Sequence, residues 1–210
     1  MIQGSAEWHA ARCGKATASR IGDIMAMSKD GSRPLKAHED YLMELVCERL
    51  TGQAAEHFVS KPMIWGMEKE DDALLAYQFY TGRKVESVGF YDHPTIPMSG
   101  ASPDGLVGDE GLVEVKCPMT GTHVASLLGS SIARGHALQM QWQMSCTGRD
   151  WCDYVSFDPR LPDHLQLKIR RVERDAALIS EVEASVANFL TKVAAKVAQL
   201  DQLKPFVEAA

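Results

Sequence analysis

Apolar residues along the chain recur at two spacings, and these divide it into helices and strands. In HEDYLMELVCERLTG, Leu42, Leu45, Val46 and Leu50 keep to one helical face and Gly52 follows, which predicts a helix with a glycine stop. GMEKEDDALLAYQFYTG predicts a second such helix after a loop, carrying Leu74, Leu75, Tyr77 and Phe79 and ending at Gly82. Nearer the start, SAEWHAARCG opens on a serine cap and closes on Gly14, and TASRIGDIMAM offers another capped start. The pattern then turns to strand type in KVESVGFY, IPMSG, DGLVG and LVEVKC, the last two joined by a short Gly/Asp/Glu turn. A helix near HALQMQWQMSCTG, strands WCDYVSF and LQLKIRRV, and a helical run from about Asp175 to Leu203 complete the pattern. This order predicts an α/β fold, a mixed central β-sheet flanked by helices. There is no repeat, low-complexity linker or composition break, so residues 1–210 are expected to form one domain.

One strand breaks the apolar pattern. Side chains alternate faces along a strand, so Glu114 and Lys116 share a face in Leu112–Cys117 while Val113 and Val115 take the other. Asp104 opens the preceding strand, and a hairpin would bring it beside Glu114. Two ionised carboxylates that close repel unless a proton or cation lies between them. Oxygen donors select hard cations, Mg²⁺ or Mn²⁺ rather than zinc. A lysine two positions on can hold a water beside such an ion, and the set has the parts for metal-assisted phosphodiester hydrolysis. The plainer reading makes Asp104 a turn residue in SPDG and Glu114 and Lys116 the solvent face of an edge strand.

Composition adds limits. Apolar residues make up 45% of the chain, enough for a substantial core, and no stretch approaches the roughly 18 apolar residues of a membrane span. The start lacks the features of a secretory signal, and Cys13, Cys47, Cys117, Cys146 and Cys152 are scattered without a C-x-x-C pair, which points to reduced thiols and a cytoplasmic location. The net charge of −6 disfavours a broad basic nucleic-acid surface, although a narrow basic channel within an acidic body remains compatible with it. His93, His123, His136 and His164 show no metal-ligand spacing and read as structural or surface residues.

SPDGLV followed by GLVEVKCP resembles the PD-(D/E)xK (restriction-endonuclease-like) nuclease core, and in particular the phage lambda exonuclease and YqaJ-type viral recombinase family. Four more blocks agree in order: EWHAARCGKATAS with W-x(3)-R-x-G-x-x-T-A-S, WGMEKEDDALLAYQFYTG with a W-G-x(3)-E helix, LQMQWQM with a Q-x-Q-x-x-M helix, and WCDYVSFDPR with the following strand. The resemblance spans a core of about residues 7–172 and leaves out the C-terminal helix, about 175–203.

The resemblance implies that Asp104, Glu114 and the backbone carbonyl of Val115 ligate Mg²⁺ (or Mn²⁺), with two ions at the site. It implies that Lys116 orients the attacking water and that Glu70 supports the metal site or its water; from its charge run alone, Glu70 reads rather as a solvated face. Arg12, Thr17 and Ser19 are implied to grip a terminal 5′-phosphate, through a guanidinium fork and hydroxyls, with Ser102 and Gln139 lining the same region. Gln141 either shares that role or faces the core, Met63 is the candidate wedge that parts the duplex strands, and Trp65 is core or a stacking surface. The activity implied is 5′→3′ degradation of double-stranded DNA ends to mononucleotides, leaving 3′ overhangs for phage-type recombination. The assembly implied is a homotrimeric ring working with a single-strand annealing recombinase. Two alternatives stay open, a sequence- or structure-specific endonuclease on the same core and a catalytically silent DNA-end binding module.

Overall fold

The computed structural model describes residues 3–55 and 59–203. The chain enters through helix α1 (Ala6–Arg12), whose cap Ser5 accepts a hydrogen bond from Trp8 N–H, and strand β1 (Ala16–Thr17). A 3₁₀ turn (Ala18–Arg20) leads into α2 (Ile21–Ile24). Helix α3 (Lys36–Thr51) stops at Gly52 and α4 (Lys61–Thr81) at Gly82, both glycines in the left-handed region that lacks a penalty only without a Cβ. Short strands follow: β2 (Val85–Glu86), β3 (Tyr91–Asp92), β4 (Ser99–Ala101), β5 (Gly105–Val107) and the longer β6 (Gly111–Lys116). Then come α5 (Thr120–Leu127), α6 (Arg134–Thr147), β7 (Trp151–Phe157), β8 (Leu167–Glu173) and α7 (Ala176–Asp201), the last capped by Asp175.

The strands form a five-stranded sheet in the order β2-β5-β6-β7-β8 and a small one in the order β1-β4-β3. β6 is the middle strand of the larger sheet, antiparallel to β5 and parallel to β7. A parallel neighbour requires a crossover, which α5 and α6 supply. The mixed sheet flanked by helices is thus as expected, and β6 is not an edge strand, which removes the solvent-face reading of Glu114.

Three local expectations change. KVESVGFY does not form one strand: Val85 and Glu86 pair with β5, while Tyr91 and Asp92 pair with β4 in the other sheet. α4 starts at Lys61 rather than Gly66, with Pro62 in its first turn where the missing N–H costs nothing, so Met63, Ile64 and Trp65 are helical. α5 is short and weakly patterned, and the sequence pattern does not predict it.

The core shows why α6 has no single apolar stripe. Leu138, Trp142 and Cys146 pack toward α3 and α7, against Tyr41, Leu45, Val186 and Phe189. Met140 and Met144 instead meet Leu106, Leu112, Cys152 and Tyr154 of the sheet. Two apolar faces, one toward the helices and one toward the sheet, leave no single stripe. The opposite sheet face, with Val113, Val115 and Val155, is covered by Ala73 and Tyr77 of α4. Leu75 and Phe79 lie on the outer side of α4 and are 64% and 82% exposed.

The approach to the site runs through β4, where space is tight. A Cβ on Gly100 would stand 2.2 Å from the Tyr91 carbonyl oxygen and 2.4 Å from the Phe90 ring. Gly100→Ala is expected to cost about 3 kcal/mol, the top of the usual overpacking range, or about 6–12 °C in Tm, measurable by thermal denaturation. A shift within the error of the melt would mean that β4 relaxes freely.

Candidate active site

Glu114 is fully buried near the C-terminal end of β6, and three donors converge on it. Gln139 Nε2 donates to Oε1 at 2.7 Å and Gln143 Nε2 donates to Oε2 at 2.7 Å, both from α6. Lys116 Nζ, two residues along the same strand face, also donates to Oε1. The alternation of the strand places the amine and carboxylate together, and the helical i,i+4 spacing places both amides on one face of α6. Burial works against the Lys116 charge, but Glu114 and then Asp104 outweigh it, so the ammonium is held above its ordinary value.

Asp104 precedes β5, and the antiparallel register, continued by one residue, carries it opposite Glu114, where the Val115 N–H donates to Asp104 Oδ2 at 2.7 Å. A strand residue's N–H and C=O face the same neighbouring strand, so the Val115 carbonyl turns toward this gap as well. Burial, reinforced by repulsion from Glu114, pushes the Asp104 carboxyl well above its usual range, although Lys116 opposes the shift. Glu70, half-buried on α4, is raised for the same reasons in the same order, burial and then Glu114.

The group therefore sets three carboxyls (Glu70, Asp104, Glu114) against one ammonium. Among the described residues no three His, Cys, Asp or Glu side chains already converge as a metal-ligand cluster. The carboxyl donors are nonetheless all oxygens, and burial, then repulsion from Glu114, pushes Glu70 and Asp104 up from their ordinary values. This donor chemistry fits a hard divalent cation.

The N-terminal residues assemble a second feature alongside. Arg12 stacks on Trp8, with its guanidinium carbon 4.0 Å from the indole centroid, and points Nη1 at Ser102 Oγ at 3.4 Å. Trp8 Nε1 donates to the same oxygen at 2.8 Å. Arg12, Thr17, Ser19 and Met63 line one cleft of about 710 Å³, along with Lys15 and Arg20. Burial lowers the Arg12 value from its ordinary level, with Tyr41 and Glu48 working against that. Arg20 is neutralised by Asp23 and Glu44. Thr17 is buried, Ser19 exposed, and Met63, 51% exposed, stands on the helix bordering the cleft.

Some residues lie elsewhere than expected. Gln139, expected in the phosphate region, hydrogen-bonds Glu114 instead. Gln141 faces away from the site, bridging the Glu173 carbonyl and the Asp175 N–H where β8 turns into α7. Trp65 lies beneath Arg160, which is clamped to buried Asp158. Gln143 was missed, although its spacing of four from Gln139 could have signalled it. His136 reads from the sequence as a structural or surface residue, yet it bonds the Tyr154 hydroxyl at 3.1 Å and its value is lowered by burial and then by Lys116, which places it within reach of the site.

A mixed sheet whose middle strand carries Glu-x-Lys, with an aspartate delivered from the preceding hairpin strand, defines the PD-(D/E)xK nuclease core. The model of the YqaJ-like viral recombinase domain matches residues 7–150, and the chain belongs to that family. Its fold matches the crystal structure of an alkaline exonuclease, LHK-Exo, from Laribacter hongkongensis, with a TM-score of 0.87, 46% identity, and coverage of 94% of this chain and 97% of that one. The structure of LHK-Exo in complex with dAMP matches equally well, at a TM-score of 0.87. A phage-related exonuclease from Haemophilus somnus 129PT shares the fold at a TM-score of 0.72 and 16% identity, over 89% of this chain and 96% of that one. No curated protein matches the chain.

Proposed function

We propose that the protein is a divalent-metal-dependent exonuclease that enters double-stranded DNA at a phosphorylated 5′ end. It degrades that strand 5′→3′, releases 5′-mononucleotides and leaves a 3′ single-stranded overhang. One observation carries this reading: the Arg12 cleft and the carboxylate site share a single short segment. Ser102 bonds Arg12 and Trp8, and two residues later Asp104 meets Val115 beside Glu114. Two residues of chain span at most about 7 Å, so a phosphate held by Arg12 lies close to one nucleotide from the carboxylates. A bond cut at that distance from a held end is cut one nucleotide at a time. The dAMP complex of the Laribacter alkaline exonuclease supports the same reading, since dAMP is a 5′-mononucleotide.

In this reading Arg12, Thr17, Ser19 and Ser102 bind the terminal phosphate, and Met63 keeps the second strand away from the cleft. Asp104, Glu114 and the Val115 carbonyl would hold Mg²⁺ or Mn²⁺, two ions in all. When bound, the cations would supply charge neutralisation at the phosphate and would acidify a water. Lys116 orients that water and Glu70, already raised toward its protonated form, holds its far side. A homotrimeric ring reconciles the net charge of −6 with DNA binding, the lining being basic and the outside acidic. The setting is phage-type recombination in the host cytoplasm, beside a single-strand annealing protein. Among the described residues no helix is long and apolar enough to cross a membrane.

The test uses linear duplex DNA labelled at either end, with 5′-phosphate or 5′-hydroxyl, in Mg²⁺ or EDTA. Metal-dependent release of the 5′ label as mononucleotide is expected. Arg12→Ala should lower kcat/KM on phosphorylated ends about 10–100-fold, the worth of one charge-assisted phosphate contact, and change hydroxyl ends little. Equal cutting of closed circles would replace this reading with an endonuclease, and end binding without cleavage would replace it with a silent module.

A further inference from the structure

Both oxygens of Glu114 are held by amides from α6, but in different surroundings. Oε1 receives half-buried Gln139 together with Lys116, whose side chain is 30% exposed. Oε2 receives Gln143 at 2.7 Å, and Gln143 is fully buried. The Gln143 Oε1 atom has no hydrogen-bond partner. Packing offers no reason for such a residue, because an unpaired buried amide oxygen costs folding free energy that an apolar side chain of similar volume would not. The same helix supplies methionines at the neighbouring buried positions Met140 and Met144.

Resting on the reading above, we propose that Gln143 is a positioning residue for the metal site. It anchors Glu114 Oε2 inside the core and so turns the carboxylate to present Oε1 alone to the cation. The β6 backbone is already fixed by its ladders to β5 and β7, which leaves the side-chain torsions of Glu114 as the remaining freedom. Gln139 and Lys116 share Oε1, the oxygen on the accessible side, and can yield it. Gln143 holds the other oxygen from within and adds no charge in doing so. Donors of this kind behind a ligating carboxylate set its orientation and its affinity for metal.

The test titrates the purified protein with Mn²⁺ in the absence of DNA and follows free Mn²⁺ by electron paramagnetic resonance. Gln143→Met removes the donor at similar volume, and Gln143→Asn keeps an amide too short to reach, so two variants guard against a folding failure in one. Gln141→Met is the control, since Gln141 gives up two hydrogen bonds from the same helix on its far side. Both Gln143 variants are expected to bind Mn²⁺ about 10- to 100-fold more weakly, while Gln141→Met binds as wild type even if its Tm falls further. Wild-type affinity in the Gln143 variants overturns this inference and leaves the proposed function standing. Equal weakening in Gln141→Met overturns it too, by assigning the effect to helix damage. No Mn²⁺ binding by the wild-type protein overturns both.

Discussion

Lys116→Met is expected to lower the rate of DNA cleavage by about 10²–10⁴-fold, with end binding in EDTA nearly unchanged. Lys116 is the one ammonium among three carboxyls, and its partners keep it charged well beyond any working pH. A group that acts on the reacting water contributes to the transition state more than to the bound ground state, so the loss should fall on kcat rather than KM. A second signature follows from the same residue. The folded value of Lys116 lies above its ordinary one, so its contribution to stability is present through neutral pH and disappears only as the pH rises through the raised value. The metal-free variant should therefore melt below wild type across the neutral range, since Glu70, Asp104 and Glu114 lose their counter-charge. Single-turnover cleavage and melting curves from pH 6 to 9 read both effects. A variant with wild-type kcat would remove Lys116 from the reaction.

Asp104→Asn should separate activity from stability in the opposite sense. Cleavage is expected to fall by about 10³-fold, because in the proposed role a neutral amide would replace an oxygen ligand whose charge the cation needs. The metal-free variant should nevertheless melt higher than wild type at neutral pH. Asp104 is held above its usual range by burial and by Glu114, so the folded state binds more protons than the unfolded one. Stability then falls as pH rises from about 3.8 through the raised folded value, and the variant, with nothing to titrate, escapes that loss. The Val115 N–H keeps an acceptor in the asparagine carbonyl oxygen. Adding Mg²⁺ should shrink or reverse the difference, because only the wild type gains binding free energy from it. Melting curves for both proteins at pH 4, 6 and 8, with EDTA and with Mg²⁺, check each part. A lower Tm for the variant in EDTA would mean that the carboxylates are not in conflict.

Much of the fold was legible because its signals are local. Glycine stops at Gly52 and Gly82 and the apolar spacing in α3 and α7 each report on a few neighbouring residues. Misreadings came where tertiary contacts outweighed local preference. KVESVGFY has strand composition throughout, yet its two ends pair with different sheets, and residues 87–90 between them belong to neither. The Met63–Trp65 stretch reads as a loop beside Pro62, although a proline in the first turn of a helix is no obstacle.

The chemistry followed the same division. Chain order and periodicity are enough to put Glu114 and Lys116 on one strand face, Asp104 at the head of the neighbouring strand, and Gln139 and Gln143 one helical turn apart, because strand and helix periods are properties of the backbone. The tertiary structure alone decided that β6 is the middle strand, that Gln139 and Gln143 rather than Gln141 meet Glu114, and that Arg12 reaches Ser102. Those outcomes depend on how α1 and α6 pack on the sheets, through contacts between residues far apart in the chain, 94 positions for Trp8 and Ser102 and 90 for Arg12 and Ser102. Local periodicity carries no information about such pairings, since they are set by which apolar faces bury one another.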